Sequence, residues 1–174
     1  MTTTAITVGP TLSKAAKAIL ESMEDPRALD DLSDYPDFMP YDKPFVTVIE
    51  LVGCEAKESG ESNEGIFLTV KVHESNSPEV LVNKTYSIAL FTKHKQLPDQ
   101  VLKTHARQRR QLASTLARKP NDDDFKPMPV FLKLHQATVG NPGESLGIRL
   151  KLENRFVRRT NKGKDIHEYH FELV

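Results

Sequence analysis

From Phe45 onward the apolar residues recur with period two, and this restricts the chain to strands more firmly than any other feature of its sequence. Phe45-Val-Thr-Val-Ile-Glu-Leu-Val-Gly-Cys54 is rich in β-branched residues and reads as a first strand. Gly65-Ile-Phe-Leu-Thr-Val-Lys-Val-His73 reads as a second, with Ile66, Leu68, Val70 and Val72 on one face. The polar stretch Glu55–Glu64 between them is a long hairpin loop, and Asn76-Ser-Pro78 is a turn. Thr85–Phe91 is the third strand. Pro98 opens a helix to about Arg118, with Val101, Leu102, Ala106, Leu112, Ala113 and Leu116 as its apolar positions. Three further strands are expected at Pro129–His135, Ile148–Val157 and Asp165–Val174, the last two joined through Asn161-Lys-Gly-Lys164.

Ahead of this region the period is 3.6. Leu12, Ala15, Ala16, Ile19, Leu20 and Met23 form one apolar stripe, which predicts a short helix ended by Pro26. Residues 24–44 are acidic, carry Pro36, Pro40 and Pro44, and read as an extended arm. The expected organisation is therefore an N-terminal helix and acidic arm over 1–44 and a β domain over 45–174.

Strands in antiparallel succession with one helix suit a small barrel, because closure removes exposed sheet edges. At 174 residues the chain can bury a real core. No apolar run is long enough to cross a bilayer, and Met1–Val8 lacks the basic region of a secretion leader. With Cys54 as the sole cysteine, neither an intrachain disulfide nor a zinc cluster can form, which fits a reducing cytoplasmic setting.

The formal charge is zero, yet it is unevenly placed. Residues 1–44 hold four cationic side chains against eight acidic ones. Between Lys84 and Lys119 there are nine cations and only Asp99 in opposition. Such asymmetry predicts an anionic partner for the domain, and an acidic arm able to compete for the same surface.

The strand phase places Phe67, Lys71 and His73 outward, along with Phe131, Lys133 and His135, and Arg149, Lys151 and Arg155. Rings that stack bases, interleaved with cations that follow phosphates, are what a single strand needs. Phe67 and Phe131 are the expected stacking residues. Lys71, Lys133, Arg149, Lys151 and Arg155 are the expected phosphate contacts, joined by the helix row Lys103, Arg107 and Arg110. The competing assignment packs both phenylalanines under the helix and leaves the helix row as a solvated face. His167 and His170 lie three apart on a strand, face opposite sides, and read as surface residues. Asp122–Asp124 lacks the spacing of a calcium loop and reads as a solvated turn. No phosphate loop, nucleophile elbow or catalytic carboxylate pair is present, so a non-enzymatic binding role without a cofactor is expected.

The Gly65–Val72 strand, the helix after the third strand and the closing hairpin with Thr160-Asn-Lys-Gly-Lys164 resemble the single-stranded DNA-binding proteins of tailed bacteriophages. The resemblance covers residues 45–174 by arrangement rather than by motif. It implies an OB-like small antiparallel β-barrel with one helix between strands three and four. It also implies sequence-tolerant binding of single-stranded DNA in phage replication or recombination, within the host cytoplasm. RNA is the alternative strand, and homo-oligomers are compatible with the pattern. Many relatives in that group end in an acidic, phenylalanine-tipped tail that recruits replication or recombination proteins. This sequence ends His170-Phe-Glu-Leu-Val174, so any such arm is N-terminal. In that arm, Phe38 and Tyr41 among the acids imitate a single strand. A protein-interaction module on a similar barrel remains the rival reading.

Overall fold

The computed structural model describes residues 37–60 and 62–174. The N-terminal helix expected over Leu12–Met23 and the acidic stretch before Asp37 lie outside them. The body is mainly β, a single six-stranded sheet that does not close, with two helices.

Strands β2 (Phe45–Glu58), β3 (Glu64–Ser75) and β4 (Thr85–Lys93) follow one another antiparallel, as their alternation requires. Two further strands, β5 (Ile148–Arg159) and β6 (Asp165–Leu173), form a hairpin whose first strand pairs with the other edge of β2. A two-residue strand, β1 (Asp37–Phe38), runs parallel to β4, giving the order β1-β4-β3-β2-β5-β6. The inward phase is the expected one: Leu68, Val70 and Val72 are fully buried, as are Ile49 on the adjoining β2 and Leu150 and Leu152 on β5 beyond it. Each such aliphatic side chain contributes roughly 1.5–3 kcal/mol by leaving water. Gly65 sits where β3 crosses β4, and a Cβ there would lie 2.7 Å from the Leu90 carbonyl oxygen.

The unclosed edges are satisfied by side chains. Helix α1 (Asp99–Ala117) lies between β4 and β6. Gln108 Oε1 accepts the Tyr169 N–H at 2.8 Å, and Gln111 Oε1 accepts the Phe171 N–H at 2.9 Å. Gln111 Nε2 donates back to the Phe171 carbonyl at 2.6 Å. On the β4 side, His105 Nδ1 accepts the Phe91 N–H at 2.9 Å and Arg109 donates to the Phe91 carbonyl at 2.7 Å. A helix therefore supplies the hydrogen bonds that a neighbouring strand would have made. Its buried face is accordingly polar, comprising Thr104, His105, Gln108 and Ser114 beside Leu112 and Ala113. Of the apolar positions expected from the sequence, Ala106 is exposed and Val101, Leu102 and Leu116 are only partly covered.

Helix α2 (Met128–Gly140) corrects the strand expected at Pro129–His135. Val130, Leu132 and Leu134 do alternate, but the residues that bury are Phe131, Leu134 and Thr138, at helical spacing. Two helices, not one, thus separate β4 from β5. α2 covers β2 beyond its register shift at Leu51/Gly53, where β5 no longer reaches. There Thr138 Oγ1 accepts the Cys54 N–H and His135 Nδ1 the Ala56 N–H, each at 3.0 Å.

The expected domain boundary at residue 44 also moves. Asp37 to Lys43 belong to the same compact unit as the strands. Met39 is buried in the core, and its N–H donates to Ser87 O at 2.9 Å. Tyr169 donates its hydroxyl to Pro40 O at 2.8 Å, and Asn154 Nδ2 donates to Lys43 O at 2.8 Å. Residues 37–44 are thus part of the folded body and bind β4 at one end and the β5–β6 hairpin at the other.

Candidate nucleic-acid interface

Neither phenylalanine expected to stack bases is available to do so. Phe67 does stand on the outer face of β3, yet it is only 8% exposed. The Phe91 ring meets it edge-on at 5.6 Å and Lys57 Nζ lies 5.1 Å from its centroid. Phe131 is also 8% exposed, because it belongs to a helix and faces the core.

The expected phosphate contacts divide into groups. Lys71, Glu50 and Arg149 are cross-strand neighbours in one row over β3, β2 and β5. Glu50 is shared by Arg149 at 3.9 Å and His73 at 3.5 Å. Lys151 and Arg155 both reach Glu172, at 3.7 and 3.5 Å, and Arg155 reaches Glu153 at 3.0 Å. Acids therefore interleave with cations on the outer sheet face, which weakens its pull on an anion. Burial, and then Arg155, lower the pKa of His170 in the same cluster. Lys133 stands on α2 rather than on a strand, and with Glu50 and Arg149 it lines one groove.

The helix row separates as well. Arg110 donates to the Asp122 carbonyl and lies 5.8 Å over the Phe125 ring, so it holds the loop after α1. Arg107 pairs with Glu168 on β6. Lys103 is exposed and has no acidic partner among the described residues.

The β5–β6 hairpin, whose two strands, turn and Arg155 the sequence predicts, carries cations that the sequence reading leaves out. Residues 155–164 hold Arg155, Arg158, Arg159, Lys162 and Lys164 and no acid. Phe156, 52% exposed, and Val157 stand among them. The Phe156 ring meets His167 edge-on at 6.0 Å. The turn is well determined: Thr160 N–H bonds Lys164 O at 2.8 Å, and Gly163 takes the left-handed φ of 78°. Arg159 is tied to Asp165 at 2.8 Å, which holds that carboxyl below its ordinary range. Arg158 donates to Gln100 Oε1 at 3.2 Å and so joins the hairpin to the first turn of α1, one turn before Lys103. In the sequence this surface is the run Arg155-Phe-Val-Arg-Arg159 followed by Lys162-Gly-Lys164, which strand phase alone does not single out.

His167 and His170 do face opposite sides, but His167 is buried rather than on the surface, a correction that follows from its inward phase on β6. The carboxylates at Asp122–Asp124 form a turn in which Asp122 Oδ1 accepts the Asp124 N–H at 3.1 Å. Among the described residues, no group of three His, Cys, Asp or Glu side chains is arranged to hold a metal ion, and no helix is long and apolar enough to cross a membrane. No protein-family model matches the chain, and no curated protein sequence matches it either.

Proposed function

We propose that this protein binds single-stranded DNA without sequence preference, in replication or recombination, through the β5–β6 hairpin and the adjoining start of α1. The observation that carries the reading is an exposed ring, Phe156, within a ten-residue run of five cations and no acids. A ring can stack on any base, and cations that displace counterions from phosphates bind any sequence. Arg158, Lys162, Lys164 and Lys103 have no acidic partner among the described residues, so their charge remains available. The architecture supports the reading too. The order β4-β3-β2-β5-β6, with helical segments between β4 and β5, suits an OB-like barrel opened at one seam. In that fold the loop between the last two strands is one of those that hold oligonucleotides.

The test is an anisotropy titration of labelled oligothymidylate and of a duplex of equal length. Single strands should bind more tightly than duplex, and binding should weaken steeply between roughly 50 and 200 mM salt. No binding at about 50 mM salt, where phosphate contacts remain strong, overturns the proposal.

A second reading, a protein-interaction module, rests on Met128, Leu132 and Val139, exposed apolar residues along α2. Self-association measured by light scattering, abolished by Leu132→Glu, would favour it.

A further inference from the structure

A groove of about 810 Å³ opens between the end of α1, the first turns of α2 and the start of β5. That volume lies within the range of ligand-binding clefts. Its floor is aliphatic, with Leu116, Val130, Leu134 and Ile148. Three cations from three elements stand around it: Arg118, Lys133 and Arg149. Arg118 occupies the residue after α1 in a left-handed conformation, φ 55°, and its backbone N–H is bonded to the carbonyls of Ser114 and Thr115. A non-glycine residue in that conformation is held there by its surroundings. The groove's one acidic side chain, Glu50, has the Arg149 guanidinium 3.9 Å away, and Val174 at the end of the chain also lines the groove. Arg118 and Lys133 are exposed and have no acidic partner among the described residues.

We infer that this groove is a docking site for a short acidic peptide segment of a partner protein, one that carries aliphatic side chains among its carboxylates. Charge complementarity with the rim selects carboxylates, and the apolar floor takes the side chains between them. A nucleic acid strand fits less well. None of the lining residues is aromatic, so bases have no surface to stack on. The groove lies at the open end of the β5–β6 hairpin, where Ile148, Arg149, Leu173 and Val174 line it, rather than at the cationic turn, and it does not rest on the nucleic-acid reading.

The experiment uses the full chain and a fluorescein-labelled octapeptide of alternating Asp and Leu. Anisotropy should report saturable binding, weakened about tenfold by Arg118→Glu or Lys133→Glu, as expected when a rim charge is reversed. Lys95→Glu makes the same change of charge beyond the opposite end of α1 and should leave the affinity unaltered. Peptides with Asn for Asp, or Ser for Leu, should not bind. Circular dichroism checks folding, and Lys133→Gln replaces any charge reversal that fails to fold. The inference is overturned by an absence of saturable binding, or by equal binding of the Asn peptide. It is overturned equally if Lys133→Glu abolishes oligothymidylate binding together with peptide binding, which would assign the groove to nucleic acid.

Discussion

Phe67 and Phe156 occupy similar positions in the sequence, each one a ring in an alternating strand, and their surroundings leave one buried and the other exposed. Phe67 is closed off by Phe91 and Lys57, whereas Phe156 extends past the core on the hairpin. Phe67→Ala should therefore cost about 3 kcal/mol of stability, the low end for removing a buried ring, and leave the affinity of folded molecules unchanged. Phe156→Ala should do the reverse, weakening oligothymidylate binding by roughly 1–3 kcal/mol with little change in melting temperature. Paired melting curves and titrations distinguish the two, and an unchanged affinity in Phe156→Ala would remove the ring from the interface. His105 makes a second prediction at this scale. Burial first, and then Arg109 and His94, push its pKa down to about 4, and its Nδ1 can accept the Phe91 N–H only when unprotonated. A pKa lower in the folded than in the unfolded chain contributes stability that is complete above about 6.5 and is lost as pH falls toward about 4. The urea midpoint should decline through that window. In His105→Gln, which keeps an acceptor that does not titrate there, the decline should be shallower. Equal slopes in the two proteins would dispose of this account.

At the scale of elements, α1 takes the place of a strand, and its glutamines carry that role. Gln108→Leu and Gln111→Leu preserve volume but leave the amides of Tyr169 and Phe171 without acceptors. Each should cost about 1–3 kcal/mol, the penalty for a buried group left unsatisfied. Hydrogen exchange should quicken at Tyr169 and Phe171 and stay unchanged along the β2–β3 pairing. Uniform quickening would mean that the whole sheet depends on α1. The same helix shows why part of the fold was hidden in the sequence. The strands were legible, since one buried face imposes alternation on Leu68, Val70, Val72, Leu150 and Leu152. The inward face of α1 was not legible, because buried Gln108 and half-buried Gln111 face inward in order to bond strand edges, and apolar spacing does not mark them. In α2, Val130-Phe-Leu-Lys-Leu134 satisfies both periods at once. The signal favouring a helix was Pro129 in its first turn, a position that tolerates proline. Pairing with acids was equally hidden, as Glu50 and Glu172 reach the outward cations only through cross-strand register.

Across the whole molecule, a net charge of zero coexists with two cationic surfaces, and salt dependence separates them from the neutralised sheet face. For single strands, the logarithm of affinity falls with the logarithm of salt by about 0.7 for each phosphate neutralised. Arg158, Lys162 and Lys164 lie on the hairpin without acidic partners among the described residues. If each meets one phosphate, replacing all three with Gln should reduce the slope by roughly 2. Lys71, Arg149 and Lys151 are the matched comparison. They carry the same charge on the outer face, but Arg149 and Lys151 reach Glu50 and Glu172 and Lys71 is the cross-strand neighbour of Glu50. A cation with a carboxylate beside it holds a phosphate less well, so the second triple variant should reduce the slope less than the first. Both triples remove three charges, so any effect of net charge alone is common to them and cancels in the comparison. Equal flattening by the two would mean that the strand runs across the sheet face. A flat response confined to the outer-face triple would move the interface off the hairpin altogether.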